Sequence, residues 1–450
     1  MGANTNMIGT DTIDRVIGHD VYDESGEKIG SASEVYLDDE TGQPEWATVR
    51  TGLFGTKESF VPLRNAQLRS LRELNPIHRG INGRWMLFKY EDVKFLLSSP
   101  IFKTLKIHEM VASKNRLLNG SENFNDISLA SAKWLLFLDP PDHTELRSVV
   151  AKIWNKVDLR KTIQEVVAEA IEGLSKQKEV DIVKDFSVFI PSKIICKALG
   201  LPVEDYSILR NWSYYFNRVL EPFESLHDLL FYNRKAQEFF VYLDRIIESK
   251  KQNPDDAFIS KFMSSNQSMA QPLSHSEIVS VISVMFFAGI ETSVNLFGQS
   301  VFHLIRHPEQ ARLLREDESI LPRAVEELIR YVSPAQYTTR IASEDVTISG
   351  KQIKAGDILL GAMVSANRDA DVFENPEQLD LTRVANPHLG FGYSLHYCLG
   401  ARLAREEMSV SIPALFRRFP EIALDPHRNR EWETIIINRG LKSLPVILHQ

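Results

Sequence analysis

Cys398 lies in a short segment whose residue types suit a metal-binding thiolate. Glycine precedes it at Gly392 and follows it at Gly400, and a helical pattern begins directly afterwards, at 401–407. The start of that helix directs unpaired N–H groups and the positive end of its dipole towards the sulfur. Both favour the ionised thiol, the form that binds a metal, and the glycines let a flat ligand approach the backbone. A single cysteine is more often a buried structural thiol, but the glycines and the arginine-rich helix favour the metal ligand.

The ten residues from Phe391 to Gly400 read FGYSLHYCLG. They resemble the haem-ligand loop of the cytochrome P450 family, Phe-Gly-x-Gly-x-His-x-Cys-x-Gly, with Ser394 in place of the second glycine. Serine enters the positive-φ region less freely than glycine, so the sequence does not decide the conformation of the turn at this position. The assignment of Cys398 as the ligand does not depend on it. The resemblance implies that Cys398 holds the iron of haem b, and that Phe391 and Gly400 contact the cofactor.

An apolar stretch at 281–300 is predicted to form a helix that is interrupted at the sequence AGIET, residues 288–292. The stretch resembles the family's oxygen-binding signature, Ala-Gly-x-Asp/Glu-Thr. The hydroxyl of Thr292 can donate and accept hydrogen bonds and hold a water, Gly289 would let the helix open locally, and Glu291 would relay protons from solvent. The alternative is an ordinary core helix that tolerates a glycine.

Glu327 and Arg330 lie three residues apart, on one face of a predicted helix. Ion pairs at this spacing are common on protein surfaces, but a position between the threonine helix and the cysteine loop resembles the family's buried Glu–Arg pair behind the haem. The family adds a third basic residue in a downstream Phe-x-x-Pro-x-Arg-Phe segment. Here the segment 373–379 has Gln378 at the arginine position, so the third partner is left open.

The resemblance also implies which residues contact the haem propionates. His143 and Arg147 lie four residues apart on the face of a predicted helix, Arg340 lies in an extended run, and His396 stands two residues before the cysteine. Arginine suits this task because its planar fork matches a carboxylate, and the alternative for each residue is a solvated surface side chain. The predicted haem contacts are, in full, His143, Arg147, Ala288, Gly289, Arg340, Phe391, His396, Cys398 and Gly400.

Thiolate ligation favours cleavage of the O–O bond over reversible binding of O₂. The resemblance therefore implies a haem-thiolate monooxygenase that inserts one oxygen atom from O₂ into an apolar small molecule, by hydroxylation or epoxidation, with Glu291 and Thr292 as catalytic residues. The alternatives are a thiolate-haem peroxygenase or isomerase that does not use O₂, and a non-catalytic haem sensor with an N-terminal output module. By the resemblance, five residues line the substrate pocket: Phe287, Gln336, Tyr337, Thr338 and Ile437.

The resemblance covers residues 71–450 and implies a mainly α fold of the soluble bacterial type, a helical haem domain with small β-sheets. Helical periodicity at 157–175 and 227–250 agrees with this fold. Cys196, in an apolar stretch of that part, is expected to be a packed structural thiol.

The N-terminal part of the chain has a different pattern. Short alternating apolar segments bounded by Gly and Asp clusters indicate a small all-β barrel, and residues 10–66 resemble a PRC-barrel domain, a module for protein association. We predict two domains, 1–68 and 69–450. The joint between them has no Gly/Ser/Pro linker, which suggests an engineered or unusual fusion, and the alternative is a natural two-domain protein.

Charge and composition limit the partners. Residues 1–66 carry twelve Asp or Glu and five Lys or Arg, a net of −7 against −8 for the whole chain, so the helical part is close to neutral. No basic tract indicates nucleic-acid binding. The longest apolar run, 284–290, is far shorter than the roughly 20 residues of a membrane span, the N-terminus lacks a secretory pattern, and two cysteines suit a reducing compartment. We expect a cytoplasmic protein that binds neither nucleic acid nor membrane.

The sequence has no flavin or iron–sulfur motif, so electrons are expected to come from separate proteins, a ferredoxin or flavodoxin with its reductase. A basic surface near the cysteine would steer such acidic partners. Four residues are predicted to form it: Lys133, Lys152, Arg402 and Arg405.

Overall fold

The structure is a computed structural model that describes residues 20–22, 28–37, 44–51, 57–59, 65–80, 83–118, 123–177, 179–221, 225–433 and 435–448. Helices dominate the part after residue 64. They are α1 (Asn65–Leu74), α2 (Tyr90–Ser98), α3 (Ile107–Ser113), α4 (Asn125–Ser131), α5 (Asp142–Trp154), α6 (Arg160–Ser175), α7 (Phe189–Leu199), α8 (Tyr206–Arg218), α9 (Leu226–Gln252), α10 (Phe258–Asn266), α11 (His275–Arg306), α12 (Pro308–Glu316), α13 (Leu321–Val332), α14 (Met363–Ala366) and α15 (Ala401–Arg418).

The strands are short and lie at both ends of the chain and beside the helices. They are β1 (Asp20–Tyr22), β2 (Lys28–Leu37), β3 (Pro44–Thr51), β4 (Lys57–Ser59), β5 (Ile77–Arg79), β6 (Trp85–Leu87), β7 (Phe102–Thr104), β8 (Val180–Asp181), β9 (Tyr337–Ala342), β10 (Val346–Ile348), β11 (Lys351–Ile353), β12 (Ile358–Ala362), β13 (Ala423–Leu424), β14 (Glu431–Trp432), β15 (Leu441–Ser443) and β16 (Pro445–Ile447). The predicted mainly α fold with small sheets is confirmed.

The N-terminal strands form an antiparallel sheet in the order β1-β2-β3-β4. Val35 of β2 pairs with Ala47 of β3, and Arg50 of β3 pairs with Glu58 of β4. The described backbone of this part is therefore β, as expected from its alternating pattern. The sequence also predicts a short strand at 60–63, and these residues lie outside the described part of the chain.

Helix α1 packs with the helical part of the chain. Leu68 is buried together with Phe88, and Arg72 donates a hydrogen bond to the carbonyl of Ser365 at 3.0 Å. The predicted domain boundary between residues 68 and 69 falls inside this helix.

Helix α11 is the central element of the helical part and contacts α4, α7, α8 and α15. It begins at a capping box in which Ser274 and Glu277 each accept a hydrogen bond from the other's backbone N–H. Among the described helices it alone is long and apolar enough to cross a membrane, and 67% of that apolar window is buried inside the protein. Burial on most sides is what an apolar core helix requires.

A mixed five-stranded sheet, in the order β5-β6-β12-β9-β7, lies beside the helices. Strand β12 runs parallel to β6 and antiparallel to β9, with Leu359 opposite Arg340. Because side chains alternate along a strand, this register gives Arg340 and the preceding Thr339 opposite faces of the sheet. Arg340 is buried and Thr339 is half-buried.

Candidate active site

The loop before α15 presents Cys398. Its backbone N–H donates to the carbonyl of Phe391 at 2.9 Å, which closes the loop. Gly392 has φ +70°, and Ser394 has φ +58° in the left-handed region. The loop therefore keeps the turn that the family builds with glycine, at the cost of a strained serine. This answers the question that the sequence left open at residue 394.

The surroundings of Cys398 act on its thiol in opposite directions. The residue is accessible to solvent, yet it lies deep among protein atoms. Desolvation raises the pKa of the thiol, while the N–H groups of Gly400 and Ala401 and the charge of Arg147 oppose the rise. The N–H groups at the helix start act as expected, because they lower the pKa of the thiol, and burial outweighs them. Metal coordination would be needed to hold the ionised sulfur.

The buried His143 lies against His396, a half-buried histidine of the loop. The ring centroids of His143 and His396 are 4.3 Å apart. His143 is fully buried, and neither of its ring nitrogens has a hydrogen-bond partner among the described residues. Burial, followed by the nearby charge of Arg340, lowers the pKa of His396 to about 3. Unpartnered polar groups at such depth indicate a missing polar ligand.

Two arginines complete this basic cluster. Arg340 is 6% exposed and donates to Thr338 Oγ1 at 3.1 Å and to the carbonyl of Thr339 at 2.8 Å. Burial lowers its pKa to about 10, with Asp139 opposing. Arg147 donates to the carbonyl of Tyr397 in the cysteine loop. Among the described residues, no carboxylate forms a hydrogen bond with this positively charged cluster. The cluster therefore suits an anionic ligand.

Three of the predicted signature residues are less buried than their neighbours in α11. Ala288, Gly289 and Thr292 are half-buried, whereas most other residues in the middle of the helix are buried. Thr292 Oγ1 donates to the carbonyl of Ala288 at 2.8 Å, a bond within one turn. The predicted interruption of the helix is wrong, because α11 continues unbroken from His275 to Arg306. The reason is visible at Gly289, where an added Cβ would lie 2.4 Å from Ile195 Cδ1, so this glycine serves close packing against α7.

Glu291 points to α8 and forms an ion pair with Arg210, with 2.8 Å between Nη1 and Oε1. Glu291 is 3% exposed, and burial raises its pKa while Arg210 opposes the rise. The carboxyl is therefore separated from solvent by a guanidinium group. Sequence reasoning missed Arg210, since no local pattern connects it with α11.

A buried carboxylate organises the segment before the cysteine loop. Glu327 and Arg330 are both fully buried and share two hydrogen bonds of 2.8 Å. The third basic partner is Arg383, whose Nε donates to Glu327 Oε2 at 3.0 Å. Gln378 contributes only its backbone carbonyl, which accepts from Arg330 at 3.1 Å. The signal that could have found Arg383 is the arginine that closes the sequence LDLTR at 379–383.

Comparison with known proteins agrees with this geometry. The family model for cytochrome P450 matches residues 88–435. This chain belongs to the cytochrome P450 family. A second model, the PRC-barrel domain, matches residues 9–73.

Several relatives of this P450 are similar over most of their length. The polyketide biosynthesis cytochrome P450 PksS of Bacillus subtilis is 34% identical, over 85% of this chain and 95% of the relative. The vitamin D(3) 25-hydroxylase of Pseudonocardia autotrophica is also 34% identical, over 81% and 88%. The crystal structure of P450BioI in complex with a fatty-acyl-loaded acyl carrier protein matches with a TM-score of 0.77 at 30% identity, covering 85% of this chain and 98% of that one.

As a member of this family, the P450 is a haem-thiolate monooxygenase that carries haem b and uses O₂, a small substrate and electrons from separate redox proteins. The described residues fit that cofactor. A single accessible cysteine lies beside a basic cluster with unpartnered polar atoms, as an iron porphyrin with two propionates requires. The other cysteine, Cys196 of α7, is fully buried, and burial raises the pKa of its thiol to about 12.

Of the residues predicted to line the substrate pocket of the P450, some are half-buried and others are buried. Thr338 and Ile437 are half-buried, and Gln336 is joined to Ile437 by a backbone hydrogen bond of 2.8 Å. Tyr337 is 8% exposed and lies in the same strand as Thr338. Phe287 is 2% exposed and packs against Trp134, with 4.6 Å between ring centroids, which favours a role in the core.

The predicted docking surface of the P450 is largely engaged in ion pairs. Arg402 pairs with Glu406 at 3.0 Å, and Arg405 pairs with Glu326 at 2.6 Å. Arg405 also donates to the hydroxyl of Tyr397, the residue before the cysteine. The remaining members differ: Lys133 pairs with Glu277 at 3.1 Å, and Lys152 is exposed.

Proposed function

We propose that Cys398 would hold the haem iron and that His143, Arg147, Arg340 and His396 would bind the propionates. The observation that carries this assignment is the fully buried His143, whose two ring nitrogens have no hydrogen-bond partner among the described residues and lie near the guanidinium groups of Arg147 and Arg340. A buried cluster of this kind is unfavourable unless an anion balances it. Phe391 and Gly400 contribute backbone groups around the sulfur, and Ala288 and Gly289 form the opposite wall.

Haem held by a thiolate supplies the cleavage of O₂ and the insertion of one oxygen atom, with two electrons and two protons consumed and water released. The residues of this chain supply the protons. Thr292 Oγ1 can release its bond to Ala288 and hold a water at the open face of α11. Glu291 delivers protons to that water when its pairing with Arg210 loosens.

The substrate is an apolar molecule bound between α11 and the segments around Thr338 and Ile437. Relatives named for polyketide biosynthesis and for hydroxylation of vitamin D(3) support an apolar substrate, which the P450 hydroxylates or epoxidises. A panel of sterols, fatty acids and polyketides titrated into the ferric protein would identify it through the shift in haem spin state.

The spectrum of the reduced carbon monoxide complex tests the ligand. The parent protein should absorb at the wavelength characteristic of a thiolate-ligated haem, and Cys398→Ser should lose that band while the fold persists. His143→Ala and Arg340→Leu should lower the haem content of the purified protein, whereas Arg312→Leu, on the exposed face of α12, should leave it unchanged. Parental haem content in both cluster variants would contradict the propionate assignment.

The redox partner is a ferredoxin or flavodoxin with its reductase, and the protein works in the cytoplasm. Arg402 and Lys152 remain the exposed basic groups on the cysteine side, and the burial of α11 supports a protein that does not span a membrane. The rate of reduction should fall with added salt, because screening weakens attraction between exposed charges. A rate independent of salt would contradict docking through this surface.

The PRC-barrel part and the P450 part are two domains, with the joint close to residue 64 and before α1. The contacts of Leu68 and Arg72 with the helical part support this position. A chain that lacks residues 1–64 should retain the haem spectrum and turnover of the parent. Loss of haem on this deletion would mean that the N-terminal part stabilises the enzyme.

A further inference from the structure

Residues 435–440, here called the pocket wall, carry Ile437 and form hydrogen bonds with several other segments of the chain. The carbonyl of Ile437 accepts from the backbone N–H of Gln336 at 2.8 Å, and the carbonyl of Gly440 accepts from that of Glu433 at 3.0 Å. The two carbonyls between them accept from side chains of α11. Connecting segments are usually the more mobile parts of a fold. The pocket wall is instead held at four consecutive carbonyls.

Two side-chain amides of α11 hold the centre of the pocket wall. Asn295 Nδ2 donates to the carbonyl of Asn438 at 3.2 Å, and Gln299 Nε2 donates to the carbonyl of Arg439 at 2.9 Å. Both amide side chains are buried. Because Asn295 and Gln299 stand about one helical turn apart, they meet neighbouring peptide groups of the wall. They satisfy backbone carbonyls that would otherwise be buried without a donor.

The contact between α11 and the pocket wall is too close for a side chain at residue 440. An added Cβ on Gly440 would lie 1.8 Å from Asn295 Oδ1 and 2.4 Å from Asn295 Cγ. The amide of Asn295 is buried and bonded to the wall, so it can move aside only by losing that bond. Glycine at this position therefore lets the wall approach α11.

The face of α11 that holds the pocket wall also carries Thr292. Thr292 and Asn295 are three residues apart, and Asn295 and Gln299 are four apart, so the three side chains lie on one side of the helix. Helix α11 is continuous through these positions, so the hydroxyl and the two amides keep a constant spacing. The wall that is bound to the amides is thereby held at a fixed distance from Thr292.

We propose that Asn295 and Gln299 are positioning residues that fix Ile437 relative to Thr292 and thereby limit the size of the apolar group bound between α11 and the pocket wall. Glu221 accepts two N–H groups of the wall, each at 2.9 Å. Loss of one amide of α11 therefore displaces the wall but does not detach it. The inference rests on the proposed place of Ile437 in the substrate pocket.

Two imidazole ligands of different size test this role without turnover. Imidazole and clotrimazole, an imidazole that bears three aromatic rings, would each be titrated into the ferric, haem-loaded protein and followed by the shift of the Soret band. The ratio of the clotrimazole Kd to the imidazole Kd measures how much bulk the pocket admits. Asn295→Leu and Gln299→Met remove the donor at nearly constant volume and should lower this ratio about fivefold. Ile437→Ala should lower it about tenfold, the lower end of the effect of one methylene in an apolar pocket.

The matched control is Asn266→Leu on α10. Asn266 is also buried, and its Nδ2 donates to a backbone carbonyl outside the pocket wall, that of Leu273, at 3.0 Å. Its substitution should destabilise the protein in the same way as Asn295→Leu but leave the Kd ratio at the parental value. Gly440→Ala is a second route to the expected effect, because the new Cβ displaces the unchanged Asn295. It should lower the ratio as Asn295→Leu does, and it decides the comparison if Asn295→Leu fails to take up haem.

The outcomes separate the positioning role from the proposed pocket. If Ile437→Ala lowers the Kd ratio while the variants at 295, 299 and 440 keep the parental value, α11 does not set the position of the wall and the positioning role is refuted. A shift in Asn266→Leu as large as that in Asn295→Leu would mean general loosening of the fold and would refute it equally. If Ile437→Ala itself leaves the ratio unchanged, Ile437 does not line the pocket, and the inference built on that place fails with it.

Discussion

Arg383 donates a hydrogen bond from Nε to Oε2 of Glu327 across 3.0 Å, and both side chains are buried. We expect Arg383→Leu to destabilise the holoprotein by about 2–4 kcal/mol, because it removes hydrogen bonds to a buried charge. Urea unfolding followed by haem absorbance would measure this. The control is Gln378→Ala, which keeps the backbone carbonyl that accepts from Arg330 and should cost less than about 0.5 kcal/mol. Equal effects of the two substitutions would contradict the assignment.

Gly289→Ala should destabilise the protein by about 1–3 kcal/mol, because the new Cβ would lie 2.4 Å from Ile195 Cδ1. Ile195→Val removes that atom, so the double variant should be less destabilised than the sum of the two single variants. Gly173→Ala on α6 is the control, since nothing lies within 4 Å of its added Cβ, and it should stabilise slightly through helix propensity. Additive effects at 289 and 195 would mean that this contact does not explain the glycine.

Ser394→Gly should raise the melting temperature of the holoprotein, because glycine adopts φ +58° without the penalty of about 1 kcal/mol that a side chain imposes. Ser394→Val should lower it, since a β-branched residue tolerates this region least. Calorimetry of the three proteins, with the carbon monoxide spectrum as a check on the ligand, would measure the series. The reverse order would mean that the serine side chain itself stabilises the loop.

Thr292→Ala should keep haem bound but divert electrons to hydrogen peroxide, because it removes the hydroxyl that we propose holds a water beside α11. We expect product per electron pair to fall by at least about tenfold, since a positioned proton-transfer group typically contributes about 10²–10⁴-fold to the rate. Thr292→Ser retains the hydroxyl and should retain most of the coupling. The measurement compares product, peroxide and reductant consumed, and unchanged coupling in the alanine variant would reject the role.

Glu407 on α15 gives a prediction for pH. It is 1% exposed, and burial raises the pKa of its carboxyl to about 8. In the folded state this carboxyl keeps its proton up to about pH 8, whereas in the unfolded chain it loses the proton above its ordinary pKa near 4.5. The contribution of Glu407 to the free energy of unfolding therefore becomes less favourable as pH rises from about 4.5 to 8. Glu407→Gln, which cannot ionise, should therefore become more stable relative to the parent over this range.

The gain should be on the order of 3 kcal/mol at pH 8 compared with pH 5. Denaturant unfolding of both proteins at several pH values would measure it. Glu406→Gln, at the half-exposed neighbour that pairs with Arg402, is the control and should change stability by less than about 0.5 kcal/mol. A constant difference between the Glu407 variant and the parent at all pH values would show that this carboxyl is not held neutral.

The parts of the site that could be predicted from the sequence are those made by residues close together in the chain. The loop around Cys398 and the signature at 288–292 depend on local turn and helix geometry, so their residue types are informative by themselves. The helix after the cysteine begins at Ala401, as its pattern indicated. Helix α9, at Leu226–Gln252, likewise agrees with the periodicity of 227–250.

The parts that could not be predicted depend on contacts between distant segments. Arg383 meets Glu327, and Arg210 meets Glu291, only because separate helices and loops pack together. The unbroken course of α11 follows from the fit of Gly289 against Ile195, which the apolar pattern cannot reveal. The raised pKa of the Cys398 thiol depends on burial, a property of the whole fold.

The deep position of Cys196 makes surface labelling simple. Its thiol is fully buried with a raised pKa, so maleimide and iodoacetamide reagents should not reach it. The sequence contains one further cysteine, Cys398, which we propose as the iron ligand and which would then be protected in the haem-loaded protein. A cysteine introduced on the outer face of α8 and another on 435–438 would then be the sole reactive positions of the holoprotein. Spin or fluorescent probes attached there could follow motion between α8 and residues 435–438 without any background substitution.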